Sequence, residues 1–274
     1  MLIEILVTIA LISFIACLIA IIISYIWARR QNGIFPKTMD GIDQYRFDFQ
    51  KIVDKDGSVS GYEALLRQYS AADKKWLLPE DITKFTLREI IYLLSRSAIE
   101  NKYPEAFLAI NISIKQFVDP RYVYFIDWLT GEIYPMNVHI EFQIDPGTTI
   151  GPLTNMRLKR NLNISKKLGV KVILEQVSPD IKYYKKVKKY LKMVSGVKIP
   201  LSKFQKTQES DWFYHNIGDW VRISKTSNVT VDLTEIEEFE GVELADLFEV
   251  SNRQGYLIGK PEYLENSVKT NSKV

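Results

Sequence analysis

The first 27 residues contain almost no polar positions. From Leu2 to Trp27 only Glu4 and a few small hydroxyl side chains interrupt an apolar run. As a helix, that length crosses a hydrocarbon core of roughly 30 Å. A cleaved signal peptide is the competing reading, but its apolar core usually runs only about 7–15 residues before a small-residue cleavage site. Here "YIWARRQNG" follows instead, with Tyr25 and Trp27 at the expected interface and Arg29 and Arg30 beyond it. Positive residues stay on the cytoplasmic side, so the pattern predicts a single-pass protein of the cell membrane with a cytoplasmic soluble part. The expected organisation is an anchor over 1–28, a linker over 29–39, one domain over 40–266 and a flexible tail over 267–274.

Beyond the linker the hydrophobic period alternates between two and 3.6. "YRFDFQKIVD" (45–54) and "VSGYEALLR" (59–67) flank a "KDGS" turn and predict a β-hairpin. Residues 80–100 place Leu87, Ile90, Ile91, Leu94 and Ala98 on one helical face. Strand-like "AFLAINIS", "NVHIEFQI", "VKVILE", "GVKIP", "NVTVDLT" and "QGYLIGKP" then alternate with helical stretches, including 154–169, one near 208–222 and one near 237–250. Gly169 closes the helix over 154–169 at its C′ position. Seven or eight strands alternating with helices predict an α/β protein, a modified (β/α)8 barrel resembling the triosephosphate isomerase barrel with one antiparallel strand. A doubly wound open sheet is the alternative, but the first strand is not followed by a glycine-rich phosphate loop.

Polar residues interrupt nearly every strand. Glu63, Asn111, Glu141, Glu175 with Gln176, Lys198, Asp232 and Gln254 each lie in or beside an apolar run. Any one of them reads as the start of a loop. Repeated on seven strands, the coincidence points to convergence on one barrel rim, because buried carboxylates need partners, a metal or water. Oxygen-rich ligation suits Mg²⁺, Mn²⁺ or Ca²⁺.

Charge and composition narrow the classes further. A formal net charge of +3 over 274 residues gives no reason to expect a nucleic-acid partner. The single cysteine, Cys17, falls within the apolar run, so the chain can form no internal disulfide. His139 and His215 lack metal-ligand spacing and read as structural, and Trp76, Trp128, Trp212 and Trp220 read as packing residues. In "SPDIKYYKKVKKYLKM" (178–193), Tyr183, Val187, Tyr190 and Leu191 share a helical face and six lysines surround it. A solvated basic face accounts for that pattern; contact with anionic lipid near the anchor is the alternative.

"GYEALLRQ" (61–68), "AINISIKQF" (109–117), "IEFQID" (140–145), "KKLGVKVILEQV" (166–177), "GVKIP" (196–200) and "QGYLIGKP" (254–261) resemble, in order, the motifs of the EAL-domain family. These are cyclic-di-GMP phosphodiesterases and their non-catalytic relatives. The resemblance implies a cyclic dinucleotide across the barrel rim and two divalent metals that activate water. It implies metal ligation by Glu63, Asn111, Glu141, Glu175 and Asp232. Lys198 matches the lysine that holds the catalytic water, with Glu175 beside it in the catalytic set. Leu65, Arg67, Gln176, Glu235 and Gln254 match ligand-facing positions.

Several positions depart from the family. Its paired aspartates align with Glu175 and Gln176, and a family glutamate aligns with Asp232; "EGVE" at 240–243 is a decoy on a helix. Two-metal hydrolysis clamps ions roughly 3.5–4 Å apart. A neutral amide at Gln176 removes charge from the second cage, and the shorter Asp232 removes reach. The expectation is therefore a degenerate, non-catalytic signalling module holding one divalent cation, with its second metal site lost. Cyclic-di-GMP and a protein are the candidate partners, and a homodimer is left open. A weak metal-dependent phosphodiesterase and a scaffold that binds no nucleotide remain as alternatives.

Overall fold

The computed structural model describes residues 2–30, 41–79, 85–97, 99–204 and 216–264. Helix α1 (Leu2–Arg30) is one uninterrupted helix, about 43 Å long at 1.5 Å per residue. Its segment Ile3–Ser24 is long and apolar enough to cross a membrane, and those side chains are exposed rather than packed on the rest of the protein.

Nine strands form one sheet among the described residues. They are β1 (Tyr45–Asp54), β2 (Val59–Ser70), β3 (Lys75–Leu77), β4 (Phe107–Asn111), β5 (Asn137–Gln143), β6 (Lys171–Glu175), β7 (Gly196–Pro200), β8 (Thr230–Thr234) and β9 (Asn252–Arg253). The order β1-β9-β8-β7-β6-β5-β4-β2 closes on itself through pairing of β1 with β2, giving an eight-stranded barrel. Strand β1 runs antiparallel to both its neighbours, β2 and β9, while the remaining barrel pairings are parallel. Strand β3 is a short extension, paired antiparallel to the far end of β2. The modified barrel with one antiparallel strand is thus the observed fold. The extra β3 was not legible, since three residues are too few to show a period.

The helices are α2 (Leu87–Ser95), α3 (Ile99–Lys102), α4 (Ile114–Phe117), α5 (Tyr122–Glu132), α6 (Pro152–Lys167), α7 (Ile181–Leu191), α8 (Ile217–Ser227) and α9 (Phe239–Leu247). Local chemistry sets their ends. Thr86 with Glu89 and Asn216 with Asp219 form capping boxes that satisfy orphan N–H groups at the starts of α2 and α8. After α6, Gly169 takes a left-handed φ of 74°, and Val170 N–H donates back to the Ser165 carbonyl. The helix expected over 80–100 breaks instead. The amides of Arg96 and Ser97 turn back to the Leu93 and Leu94 carbonyls, and the Ser97 hydroxyl also donates to Leu94, ending α2 before α3. Residues 80–84, Ala98 and the stretch 205–215, which includes Trp212 and His215, lie outside the described residues.

The core fills the space between the barrel and the helices. Leu87, Ile90, Ile91 and Leu94 of α2, and Tyr183, Val187, Tyr190 and Leu191 of α7, are all buried as their spacing predicts. Trp220 of α8 is fully buried and donates its indole N–H to the Ser178 carbonyl at 3.1 Å. His139 stacks on Phe107 with ring centroids 3.8 Å apart. Burial first, then the charges of Lys171 and Lys198, depress its pKa to about 3, so it packs as a neutral ring.

"QGYLIGKP" does not continue as a strand. Only Asn252–Arg253 pair in the sheet, and the chain then turns over Ile236, whose carbonyl accepts from Leu257 N–H at 3.1 Å. Gly255 makes this turn fit: a Cβ there would lie 2.1 Å from the Ile236 carbonyl oxygen and 2.2 Å from its nitrogen. Backbone cannot yield as a flexible side chain can. Gly255→Ala is therefore expected to destabilise the domain by about 1–3 kcal/mol or more in urea melts. Gly147→Ala, where a Cβ meets nothing within 4 Å, serves as the neutral control; equal melts for the two variants would refute the clash.

Candidate functional site: a buried ammonium among three glutamates

Barrel register builds the site. Glu63 on β2 pairs with Ala109, so Asn111 lies two residues further along β4, where it pairs with Glu141 of β5. Glu141 in turn pairs with Ile173, leaving Glu175 two residues further on at the end of β6. Residues of one parity face the interior. This stagger, a consequence of strand tilt in a closed barrel, brings side chains from separate strands to one level. One oxygen each of Glu63, Glu141 and Glu175 lie within 4.8 Å of one another.

Lys198 of β7, only 2% exposed, reaches into that cluster. Its Nζ donates to Glu63 Oε2 at 2.8 Å, Glu141 Oε2 at 2.5 Å and Gln254 Oε1 at 3.2 Å. Gln254 Nε2 donates to Glu63 Oε2 at 2.7 Å and to Gln50 Oε1 at 3.0 Å. Asn111 Nδ2 donates to Glu63 Oε1, while its own Oδ1 is buried without a hydrogen-bond partner. Carboxylates, an ammonium and amides thus pair with one another at the base of the barrel rim, where unpaired buried charge would be costly.

The carboxylates respond differently to this environment. Burial alone would raise the pKa of Glu63. The charge of Lys198, and hydrogen bonds from Lys198, Gln254 and Asn111, outweigh burial and hold it below the ordinary value. Glu141 goes the other way: burial raises its pKa well above normal, and the neighbouring Glu63 and Glu175 charges add to it against the opposing pull of Lys198. Glu175 is pushed to about 7, by burial and then by Glu63. Lys198 is held protonated because attraction from Glu141, Glu63 and Glu175 overcomes its own desolvation.

The remaining expected residues lie close by but are differently engaged. Asp232 pairs in register with Lys198 and Asn252, yet its Oδ1 accepts from Asn252 Nδ2 at 2.8 Å and it is not one of the three clustered carboxylates. Asn252 is held in turn by the Ser60 hydroxyl at 2.8 Å. Arg67 lies on the interior side of β2 beyond Leu65, with Nε 3.6 Å from Asp48 and an N–H donated to the Leu66 carbonyl at 3.0 Å. Gln176 and Glu235 both take left-handed φ, 55° and 62°, which is uncommon for residues with a Cβ and stores strain at the rim. The Gln176 carbonyl accepts from Lys203 Nζ at 3.3 Å, and Glu235 accepts from Ser202.

Above the cluster opens a cleft of about 750 Å³. Six glutamates line it: Glu63, Glu175, Glu235, Glu237, Glu238 and Glu240, and among the described residues that line it none is a lysine or arginine. Sequence reasoning missed this acidity, and it missed Gln50, Asn252 and Ser60. A signal for Gln50 was present, since Arg46, Asp48 and Gln50 recur every second residue in β1 opposite the buried Phe47 and Phe49. The "EGVE" segment lies on a helix, within α9, and its Glu240 and Gly241 line this cleft.

A buried carboxylate cluster at the carboxyl rim of an α/β barrel defines a class: proteins built to handle a hard cation and an oxygen-rich ligand. The family narrows it. The model of the EAL domain matches residues 40–261, and the chain belongs to the EAL-domain family. Solved structures agree in fold. An EAL-domain protein from Listeria monocytogenes is 23% identical, with TM-score 0.63, covering 82% of this chain and 92% of that one. The FimX EAL domain of Xanthomonas citri, solved with c-di-GMP, is 12% identical with TM-score 0.64, covering 82% and 91%. The Bacillus subtilis YkuI protein, with an EAL domain and solved with c-di-GMP and calcium, is 15% identical with TM-score 0.61 and covers 83% and 57%. A search of curated proteins found no matching relative.

Lys198 acts as the resident counter-charge of the cluster. Lys198→Met is expected to lower stability by roughly 3–5 kcal/mol, because it leaves a buried carboxylate uncompensated. Millimolar Ca²⁺ or Mg²⁺ is expected to restore more of the melting temperature in this variant than it adds to the parent. Equal metal responses in the two proteins would mean that Lys198 and a cation do not compete for Glu63 and Glu141.

Proposed function

We propose that this chain is a membrane-anchored, degenerate EAL domain that does not hydrolyse a cyclic dinucleotide and acts as a regulatory module. The observation that carries the reading is the donor set. Glu63, Glu141 and Glu175 converge within 4.8 Å, and the buried Asn111 Oδ1 lacks a partner, which together suit one hard divalent cation. A second ion has no comparable cage. Gln176 offers a neutral amide where a charge is required, and Asp232 is committed to Asn252. When bound, a single cation supplies positive charge for a phosphate oxygen; the chain's own residues hold and neutralise the cluster through Lys198 and Gln254. Two-ion clamping of attacking and leaving oxygens requires both sites.

The cleft's charge bears on which ligand the module takes. A dianionic dinucleotide meets six glutamates and, among the described lining residues, no lysine or arginine, so its affinity depends on a bound divalent ion. Without that ion the same face suits a protein partner with basic side chains. The membrane placement is supported by α1, whose apolar segment Ile3–Ser24 is long enough to cross a bilayer, and by Arg29 and Arg30 at its end, which favour a cytoplasmic barrel.

Chromatography of cyclic-di-GMP incubated with the full chain tests the catalytic part. The parent is expected to yield no linear dinucleotide with Mg²⁺ or Mn²⁺, whereas a variant combining Glu175→Asp, Gln176→Asp and Asp232→Glu gains turnover. Accumulation of linear product by the parent with Mn²⁺ would overturn the reading. Calorimetry with cyclic-di-GMP is expected to show no binding in chelator. Binding that appears with Ca²⁺ would identify a nucleotide sensor, and its absence under every metal would leave the protein-partner role.

A further inference from the structure

The net charge of +3 conceals a strongly divided molecule. Residues 151–193, which carry α6, β6 and α7, hold 12 Lys and Arg against 2 Asp and Glu, a formal +10 that leaves −7 for the rest of the chain. The two helices lie side by side, joined where the Tyr190 hydroxyl donates to Asn155 Oδ1 at 2.6 Å. Lys182, Lys185, Lys188, Lys189 and Lys192 of the α7 segment are exposed, as are Arg157, Lys159, Arg160, Lys166 and Lys167 of α6. Lys186 alone in α7 is spent internally, donating to the Asp145, Pro146 and Thr148 carbonyls.

Exposed apolar side chains gather at the same edge of the barrel. In this topology every helix that follows a parallel strand begins at the carboxyl rim. Leu153 and Met156 lie near the start of α6, and Ile181 begins α7. Leu78 and Met156 are 65% and 61% exposed. Leu78 follows β3, whose hairpin with β2 projects past the rim and also exposes Leu77 and Tyr69 beside Lys74 and Lys75. Around the barrel the hairpin, α6 and α7 occupy the arc from β2 to β6. The acidic residues of the cleft, Glu237, Glu238 and Glu240, belong to the other arc, after β8.

The chain from α1 arrives at this edge. Tyr45, the first residue of β1, pairs with Gln68 at the rim end of β2, and Ile42 and Trp76 line one small cavity there. Ten residues, 31–40, join Arg30 to Gly41 and span at most about 36 Å when fully extended.

We infer that the β2-to-β6 arc of the carboxyl rim is a docking edge for an anionic lipid surface. The inference rests on reading α1 as a membrane anchor. Apolar side chains from the hairpin and the starts of α6 and α7 enter the interface, and the exposed basic residues of their first two turns, Arg157 and Lys159 of α6 with Lys182, Lys185 and Lys188 of α7, meet the headgroups. The acidic arc and its cleft then tilt towards solvent, because like charge repels it from the same surface. Docking thereby sets the direction in which the cleft opens.

Full-length protein with Cys17→Ser, carrying one environment-sensitive dye at Leu78→Cys, Met156→Cys or Leu247→Cys, tests this in reconstituted vesicles. Leu247 is 74% exposed at the far end of α9 and serves as the control. In phosphatidylcholine vesicles containing phosphatidylglycerol, the dyes at 78 and 156 should shift to the blue and be quenched by brominated lipid. The dye at 247 should do neither. High salt or pure phosphatidylcholine should reverse the shift. Replacing Lys182, Lys185 and Lys188 with Gln should weaken docking about fivefold per lysine, as about 1 kcal/mol per charge near the surface requires. Solvent-like emission at all three positions in both vesicle types would overturn the docking edge. Failure of the chain to float with neutral vesicles would instead overturn the anchor.

Discussion

The site depends on one buried ammonium. Lys198 sits at 2% exposure among three glutamates, and each group is tolerable there only because the others are present. Desolvation of a lone ion in such a place costs several kcal/mol, more than a single ion pair reliably returns. The barrel solves this by collecting side chains from separate strands at one level. Gln254 then links Glu63 to Gln50, extending the network into β1. Closure of the sheet through β1 and β2 is what makes such convergence achievable, since an open sheet has no common interior.

The same interaction makes the cluster self-compensating. With Lys198 already bonded to Glu63 and Glu141, the cluster is compensated before any metal arrives. Gln176 faces the cleft at the cost of a left-handed φ, and Asp232 has its own partner in Asn252. The rim around the cluster is unevenly charged, acidic over the cleft and basic along α6 and α7.

Much of this was legible along the chain. Short apolar runs alternating with helical patterns predicted the barrel, since parallel strands covered by helices are buried on both faces and the helices around them show the 3.6 period. The buried faces of α2 and α7 followed directly from spacing, and so did the glycine that ends α6. Polar residues at the ends of apolar strands, Glu63, Asn111, Glu141, Glu175 and Lys198 among them, announced a rim site because a core would otherwise have excluded them.

What the sequence determined by itself was which side chains could meet, through local period and residue chemistry. Which atoms did meet depended on strand stagger, and stagger is a property of closure that no local window contains. Hence Asp232 turned to Asn252, Gln50 joined Gln254, and Arg67 settled beside Asp48. The break between α2 and α3 and the turn after β9 were likewise decided by contacts distant in sequence or by backbone bonds competing with a propensity. Charge shows the contrast most plainly. Summed along the chain it is nearly balanced, and only the packing of α6 against α7 on one arc, with the glutamates gathered on the other, turns that balance into two opposed faces.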